Sequence, residues 1–288
     1  MINPSIIKNL FIALPEISNY HAPDKKIYCL LKMIARQEIE KLFSDQNENE
    51  RDFEPFGNIA FPYFKMGAID SLNLFDIDEL IILSFYQINR KRYKRVLDIG
   101  ANIGLHSIIL EKCGFEVRSF EPDPTHYERL RKNIELNRCK KIEAYNAAVS
   151  SKSGEMEFTR VLGNTTGSHL TGSKKNPYGD LEKFQVKVEA VANHLEWADL
   201  VKLDAEGHEK EILLSTDKDQ WLKTDAIVEI ENQENAEAVY RHFNKLGVNL
   251  FSQKINWNLV KSVDDVPKSY KEGSLFITNK EYMAWNPE

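Results

Sequence analysis

Short apolar runs alternate with segments of helical periodicity from residue 95 to the end of the chain. An apolar run of four to eight residues is typical of a buried strand, and apolar residues three and four apart are typical of an amphipathic helix. Repeated strand–helix units favour an α/β fold with a mostly parallel sheet and right-handed crossovers. The runs predict strands at Arg95–Asp98, Glu116–Glu121, Ile142–Val149, Leu200–Asp204, Ala226–Glu231, Val248–Ser252 and Ser274–Thr278.

The first 94 residues follow a different pattern. Ile27–Phe43 and Asp76–Tyr86 have helical spacing, and Ser44–Asp52 is polar and charged, which is typical of a surface loop. We interpret residues 1–94 as a mainly helical N-terminal cap and residues 95–288 as the main domain. Such a cap either only covers the sheet or also shapes a substrate cleft.

A long polar segment separates the third and fourth predicted strands. Glu155–Val161 and Gln185–Val191 alternate between apolar and polar residues, as half-exposed strands do. Thr159–Lys183 is rich in Gly, Ser, Thr and Asn, which predicts a long loop. Both a surface excursion and a lid over a ligand site are compatible with this composition.

Composition narrows the class of protein. The chain has 288 residues, of which 42% are hydrophobic and 28% charged, and its net charge of −6 argues against general nucleic-acid binding. Three scattered cysteines favour a reducing compartment over a disulfide framework. The apolar stretch Ile6–Leu14 is too short to span a membrane and is not followed by a signal-peptide cleavage pattern. We therefore expect a cytoplasmic protein with no membrane span and leave its oligomeric state open.

The densest motif is Val96–Gly104, which places two glycines after a buried strand. Gly100 and Gly104 allow the backbone to approach a ligand closely, and Glu121 ends the next strand, where an acid can bind ribose hydroxyls. Position 102 is Asn where a dinucleotide fingerprint has Gly, so a nucleoside without a pyrophosphate fits better. S-adenosylmethionine is such a cofactor, with Asp98 for its ammonium. The predicted cofactor contacts are Asp98, Gly100, Ala101, Asn102, Gly104, Glu121, Pro122, Ala147 and Asp204.

A second motif, Lys202–Glu209, follows the fourth predicted strand. Ligands of open α/β sheets bind at the carboxyl ends of strands, where Asp204 lies. His208 is a candidate general base because the ordinary pKa of histidine lies near neutral pH, although a capping histidine is the alternative. Glu206 and Glu209 also suit the start of a helix, where acids are favoured.

The two motifs together resemble the FkbM-type S-adenosylmethionine-dependent methyltransferases. The resemblance runs from about Gly57 to Thr278 and includes Phe61–Tyr63, Met66–Asp70, Phe120–Pro122 and Asn146–Val149 besides the two motifs. It implies a Rossmann-like class I methyltransferase fold, with a seven-stranded, mostly parallel sheet and a reversed last strand. It also implies O-methylation of sugars, polysaccharide units or polyketide-type metabolites. The first 55 or so residues lie outside it.

The resemblance leads to a set of expected roles. We expect Asp204 to touch cofactor and acceptor, His208 to be the general base and Glu206 the alternative base. Asp204, Glu231 and Asn232 also resemble the magnesium ligands of catechol-type methyltransferases, with Glu in place of one Asp; Mg²⁺ is a second possibility, and we assign no metal ligand. The expected acceptor is a small molecule or glycan, with a sugar hydroxyl as the first choice.

Three alternatives remain at this stage: a polyketide or other small-metabolite methyltransferase, a non-catalytic nucleotide-binding protein of the same fold, and an NAD-dependent oxidoreductase. The absence of G-x-G-x-x-G argues against the oxidoreductase. For a methyltransferase, Phe61–Asp70 and the loop Thr159–Lys183 are expected to cover the acceptor side. The loop would then offer the acceptor hydrogen bonds from Asn164, Thr165, Thr166, Ser168 and His169.

Overall fold

The computed structural model describes residues 5–44, 50–174 and 179–285. The helices in these ranges are α1 (Ile6–Glu16), α2 (Lys26–Leu42), α3 (Ile77–Ile88), α4 (Leu105–Lys112), α5 (Pro124–Leu136), α6 (Ala192–Leu195), α7 (Glu209–Leu213) and α8 (Gln233–Leu246). The strands are β1 (Glu50–Asp52), β2 (Asn58–Ala60), β3 (Lys65–Met66), β4 (Ile69–Asp70), β5 (Arg95–Ile99), β6 (Glu116–Phe120), β7 (Ile142–Tyr145), β8 (Ala148–Ser150), β9 (Gly154–Val161), β10 (His169–Leu170), β11 (Leu181–Ala190), β12 (Leu200–Leu203), β13 (Asp225–Glu229), β14 (Asn249–Ser252), β15 (Asn258–Leu259) and β16 (Ser274–Thr278).

The main sheet has the strand order β15-β14-β16-β13-β12-β5-β6-β7. Strands β7, β6, β5, β12 and β13 are parallel, and β16 runs antiparallel between β13 and β14. This arrangement confirms the predicted Rossmann-like class I fold, with seven strands and a reversed last strand. The two-residue strand β15 adds an eighth strand at one edge.

A second sheet, with the order β10-β9-β11-β8, corrects two predictions. The predicted strand Ile142–Val149 is two strands in different sheets, because the Asn146 side chain turns away to donate to the carbonyls of Glu121 and Pro122. Thr159–Lys183 is not one loop, because its ends continue the β9–β11 ladder, in which Leu181 pairs with Val161. Its polar composition favoured a loop, whereas polar residues such as Glu182 and Lys183 form the exposed start of β11.

The N-terminal segment packs against one face of the main sheet. Leu14 of α1, Phe53, Phe85 of α3 and Val96 of β5 belong to one continuous cluster of buried side chains. Buried residues of α8 such as Phe243 cover the opposite face. Of the predicted loop Ser44–Asp52, residues 45–49 lie outside the described ranges and the last three residues form β1. Among the helices described, none combines the length and apolar character needed to cross a bilayer.

Candidate active site

The glycine loop is a sharp turn between β5 and α4. Gly100, Asn102 and Gly104 all have positive φ angles, of 77°, 52° and 93°. The amides of Gly100 and Ala101 both donate to the carbonyl of Phe120, at 3.0 Å, which ties the loop to the end of β6. A Cβ at Gly100 would overlap the carbonyl oxygen of Asp204, so glycine is required here for backbone packing between the ends of β5 and β12.

Glu121 is fixed in place by two backbone amides. Its Oε2 accepts from the amide of Asn102 and its Oε1 from the amide of Asp123, both at 2.8 Å. The side chain is only 5% exposed, and burial raises its pKa to about 8 against the lowering effect of those amides. Each carboxylate oxygen keeps a second lone pair, which leaves Glu121 able to accept a hydrogen bond from a ligand.

A pocket with about 600 Å³ of empty space, part of it open to solvent, lies at the carboxyl ends of β5, β6 and β12. We call it the cofactor pocket. Five residues of the predicted cofactor set line it: Gly100, Asn102, Glu121, Pro122 and Asp204. Its other lining residues include Phe120, His126, Val149, Phe158, Leu170 and His208.

The other four residues of the predicted cofactor set lie outside this lining. Asp98 is fully buried and accepts a hydrogen bond from the Ser107 hydroxyl at 2.5 Å. Gly104 faces Leu130 of α5 so closely that a Cβ would overlap that side chain. Ala101 and Ala147 are buried. The contact of Asp98 with a cofactor ammonium therefore stays a prediction.

The tip of the β9–β11 hairpin also lines the cofactor pocket, through Thr165, Thr166, Ser168 and His169. Thr165 Oγ1 lies 2.9 Å from His126 Nε2, and the amide of Ala68 donates to the carbonyl of Gly163 at 2.7 Å. The hairpin tip and the β3–β4 turn thus meet beside Glu121. Thr171, Ser173 and Lys174 of the same predicted loop line a neighbouring groove instead, so the expectation that Phe61–Asp70 and Thr159–Lys183 cover the acceptor side stays a prediction.

A tight turn after β12 positions the second motif. Glu206 and Gly207 have positive φ angles of 52° and 97°. The buried Glu209 holds the turn, since its Oε1 accepts from the amides of Ala205 at 2.9 Å and Gly207 at 3.0 Å. Burial raises the pKa of Glu209 to about 7. Glu209 is thus the first residue of α7, as the sequence predicted, and its buried carboxylate also holds the preceding turn in place.

Burial and neighbouring negative charges raise the pKa values of the acids in this turn. Burial raises the pKa of Asp204, and Lys202 opposes the rise. Burial and then the charge of Asp204 hold the pKa of Glu206 well above its usual range, while Lys174 opposes them. Lys174 pairs with Glu206 and with Glu231, the latter at 3.2 Å. The site thus concentrates negative charge around two lysines that sequence reasoning had not singled out.

His208 lies between two serine hydroxyls. Its Nε2 is 2.8 Å from Ser150 Oγ and its Nδ1 is 3.0 Å from Ser173 Oγ. Burial lowers the pKa of His208, so the imidazole is neutral at pH 7 and able to take up a proton. Within the sequence, no spacing signal connects either serine with the histidine, because both come from the separate β8–β11 sheet region.

A polar groove adjoins the cofactor pocket, and His208 lines both. We call it the acceptor groove. It contains about 1,920 Å³ of empty space, part of it open to solvent. Most of its side chains carry hydroxyl, amide or charged groups: Ser150, Ser151, Lys152, Ser153, Glu155, Thr171, Ser173, Lys174, Lys210, Glu211, Glu231, Asn232, Gln233, Glu234 and Asn235.

The residues considered for magnesium have protein partners. Glu231 pairs with Lys174, and the Asn232 side chain caps α8 by accepting from the amide of Asn235 at 2.9 Å. Within residues 5–44, 50–174 and 179–285, no group of three His, Cys, Asp or Glu side chains is arranged to hold a metal ion.

The family model described as the methyltransferase FkbM domain matches residues 98–254, a range that includes Asp98–Gly104 of the first motif, the whole second motif and the turn after β13. The chain belongs to this family. The resemblance predicted from the motifs is thereby confirmed, and S-adenosylmethionine remains the expected methyl donor. The pocket fits this cofactor, because the glycine loop and Glu121 offer close backbone approach and a ribose acceptor without a phosphate site.

Two curated relatives are also named methyltransferases. Methyltransferase sdnD of Sordaria araneosa is 27% identical over 159 residues, which cover 44% of this chain and 61% of that protein. Methyltransferase 1 of Beauveria bassiana (strain ARSEF 2860) is 23% identical over 155 residues, which cover 46% of this chain and 62% of that protein. The chain thus spans about three fifths of the length of these relatives.

Solved structures of methyltransferases show more distant similarity. The O-methyltransferase from Bacillus cereus in complex with SAH has a TM-score of 0.36 and 11% identity, and the match covers 68% of this chain and 78% of that one. The precorrin-6y C5,15-methyltransferase from Geobacter metallireducens GS-15 has a TM-score of 0.37 and 11% identity, covering 66% and 82%. At this level of similarity, no residue role can be assigned to this chain from these structures.

Proposed function

We propose that this chain transfers the methyl group of S-adenosylmethionine to a hydroxyl of a sugar or polysaccharide unit. The observation that carries the proposal is the acceptor groove, which meets the cofactor pocket at His208. Its lining of serine, threonine, asparagine and glutamine side chains suits a polyhydroxylated acceptor. A largely apolar polyketide would instead leave many of these groups without hydrogen-bond partners, which is costly when they are desolvated.

The proposed chemistry needs an oriented acceptor and a place for one proton. When bound, S-adenosylmethionine supplies an electrophilic methyl group on a sulfonium. Glu121 and the glycine loop hold the nucleoside end, and the acceptor groove orients the hydroxyl; positioning of this kind contributes up to roughly 7–11 kcal/mol in favourable cases. His208, neutral at pH 7, takes the hydroxyl proton, and Ser150 orients its ring. Asp204 contributes a carboxylate to the lining of the cofactor pocket.

The test is methyl transfer from radiolabelled S-adenosylmethionine to a panel of acceptors. We expect incorporation into oligosaccharides and not into polyketide macrolides of similar size. His208→Ala should lower kcat by roughly 10²–10⁴-fold while S-adenosylhomocysteine affinity stays unchanged. His242→Ala, at a half-buried histidine of α8 that lines neither the cofactor pocket nor the acceptor groove, is the matched control. Activity restricted to macrolides would contradict the acceptor class, and full activity of His208→Ala would assign the base to Glu206.

Metal dependence is a separate arm of this test. We expect EDTA to leave methyl transfer unchanged. Loss of activity in EDTA that Mg²⁺ restores would replace the histidine mechanism with one based on Asp204, Glu231 and Asn232.

A further inference from the structure

Lys202 is a charged residue in the middle of a buried parallel strand. It is 7% exposed and lies directly opposite Asp98 in the β12–β5 register. Parallel strands covered on both faces are normally apolar, and a buried ammonium is expensive unless it is paired. The roles proposed above for His208, Glu206 and Glu121 do not involve Lys202.

The contacts of Lys202 join three parts of the site. Its Nζ donates to the carbonyl of Gly100 at 3.1 Å, and it lies 3.5 Å from Asp204 Oδ2 and 3.8 Å from Asp98 Oδ1. The buried Asp98 Oδ1 atom has no hydrogen-bond partner among the described residues, so the ammonium of Lys202 at 3.8 Å is an ion-pair contact without a hydrogen bond. The ammonium therefore connects the glycine loop, the end of β5 and the acid that lines the cofactor pocket.

Asp204 separates two cavities. It lines the cofactor pocket, and it also lines a small cavity behind the pocket together with Glu79, Lys202 and Glu229. Three carboxylates thus border this small cavity with one ammonium. Burial and the neighbouring carboxylates hold the pKa of Glu229 well above its usual range even with the ammonium present, and loss of the ammonium would raise the pKa of Asp204 further.

We propose that Lys202 is a positioning residue that keeps the negative charge of Asp204 directed at the cationic sulfonium of the methyl donor. The proposal rests on the proposed function. The proposed effect is electrostatic and not steric. It should therefore change the affinities of two ligands of nearly equal size by different amounts. S-adenosylmethionine carries the sulfonium, whereas S-adenosylhomocysteine has a neutral thioether at the same position.

The test is calorimetric titration of both ligands into Lys202→Met. We expect S-adenosylmethionine affinity to fall about tenfold more than S-adenosylhomocysteine affinity, which corresponds to a charge contribution of roughly 1.4 kcal/mol. Lys202→Arg should retain most of the preference. Lys280→Met is the matched control, because Lys280 pairs at 2.6 Å with the buried Asp225 at the opposite end of β13. That variant should leave the ratio of the two affinities unchanged.

The pH dependence of the ratio between the S-adenosylmethionine and S-adenosylhomocysteine affinities is a second measurement. If Lys202 had a purely structural role, its replacement would not change this pH dependence. Burial raises the pKa of Asp204 and loss of Lys202 raises it further, so the deficit of Lys202→Met should be larger at pH 6 than at pH 9. Effects on the ribose contact cancel in the ratio. The ionisable groups of the described residues that interact with Lys202 or Asp204 are Asp98, Glu79, Glu121, His106, Glu206, Glu209, Glu229 and Glu231.

The outcomes are distinct. Equal losses for both ligands in Lys202→Met would overturn the proposal and leave a structural lysine. If Lys202→Met does not fold, Asp204→Asn carries the test: it removes the same negative charge and should lower the ratio by the same factor, and an unchanged ratio would overturn the proposal. Failure of the wild-type chain to bind either ligand would instead refute the proposed function itself.

Discussion

Glu121 receives two backbone amides and still faces the cofactor pocket. Glu121 is placed to accept hydrogen bonds from two ribose hydroxyls, and losing two hydrogen bonds of about 1 kcal/mol each should weaken S-adenosylmethionine binding at least tenfold in Glu121→Ala. Calorimetric titration measures this change. Glu128→Ala, which removes an exposed acid from α5, is the control and should bind normally. Unchanged affinity in Glu121→Ala would rule out the ribose assignment.

Gly100 and Gly114 allow a test of backbone packing at matched geometry. Both have positive φ, but a Cβ meets the Asp204 carbonyl at Gly100 and open space at Gly114. Gly114→Ala should lower the free energy of unfolding by roughly 1–2 kcal/mol from backbone strain alone. Gly100→Ala should lose roughly 1–3 kcal/mol more through overpacking and should also weaken cofactor binding. Urea denaturation compares the two variants, and equal losses would contradict the packing argument.

Residue types at strand ends could be predicted from the sequence, but their partners could not. The positions of Glu121 and Asp204 follow from chain spacing, because parallel strands end at one edge of the sheet. The enclosure of Asp98 by Ser107, and the approach of Ser150 and Ser173 to His208, depend on side-chain packing between distant segments. A single sequence contains no spacing rule for such contacts.

At the scale of elements, the tip of the β9–β11 hairpin belongs to the cofactor pocket. Replacing residues 164–168 by a Gly-Ser linker of equal length should therefore weaken S-adenosylhomocysteine binding about fivefold or more, since one lost hydrogen bond contributes about 1 kcal/mol. Leu162→Ala, at an exposed position of the same hairpin, should bind normally. If the linker variant kept full affinity and lost only turnover, the hairpin would act on the acceptor instead.

The seven strands of the main sheet and most of β9 and β11 could be predicted, whereas the pairing of β9 and β11 with β8 and β10 into a second sheet could not. Apolar runs identify buried strands, and right-handed crossovers restrict their order. Ile142–Val149 looks like one such run, and only the hydrogen bonds of Asn146 to the end of β6 divide it. The two-residue β10 is too short to give a periodic signal of its own.

At the scale of the whole molecule, His21 connects the N-terminal segment with Trp257, which lies between β14 and β15. Its Nδ1 accepts from the Trp257 indole and its Nε2 lies 3.0 Å from the Leu14 carbonyl, so the ring is held as one neutral tautomer. Burial lowers the pKa of His21 to about 4, below that of the unfolded chain. The unfolded state then binds the extra proton first, and stability is lost as pH falls below about 6.5.

We expect His21 to account for about 2 kcal/mol of the stability lost between pH 7 and pH 5. Denaturant unfolding of the wild-type chain and of His21→Gln at both pH values measures this difference. Other histidines with lowered pKa values are present in both proteins and cancel in the comparison. An equal loss of stability in both proteins would show that His21 does not titrate in this range.

The sheets also end in short strands. The main sheet is bordered by the two-residue β15 and the four-residue β7, and the second sheet by the two-residue β10 and the three-residue β8. A short edge strand presents few unpaired amides and carbonyls to another chain. Because β10 and β15 are so short, they were hard to find in the sequence. For the same reason they offer neighbouring copies of the chain little backbone for edge-to-edge pairing, which favours solubility at high concentration.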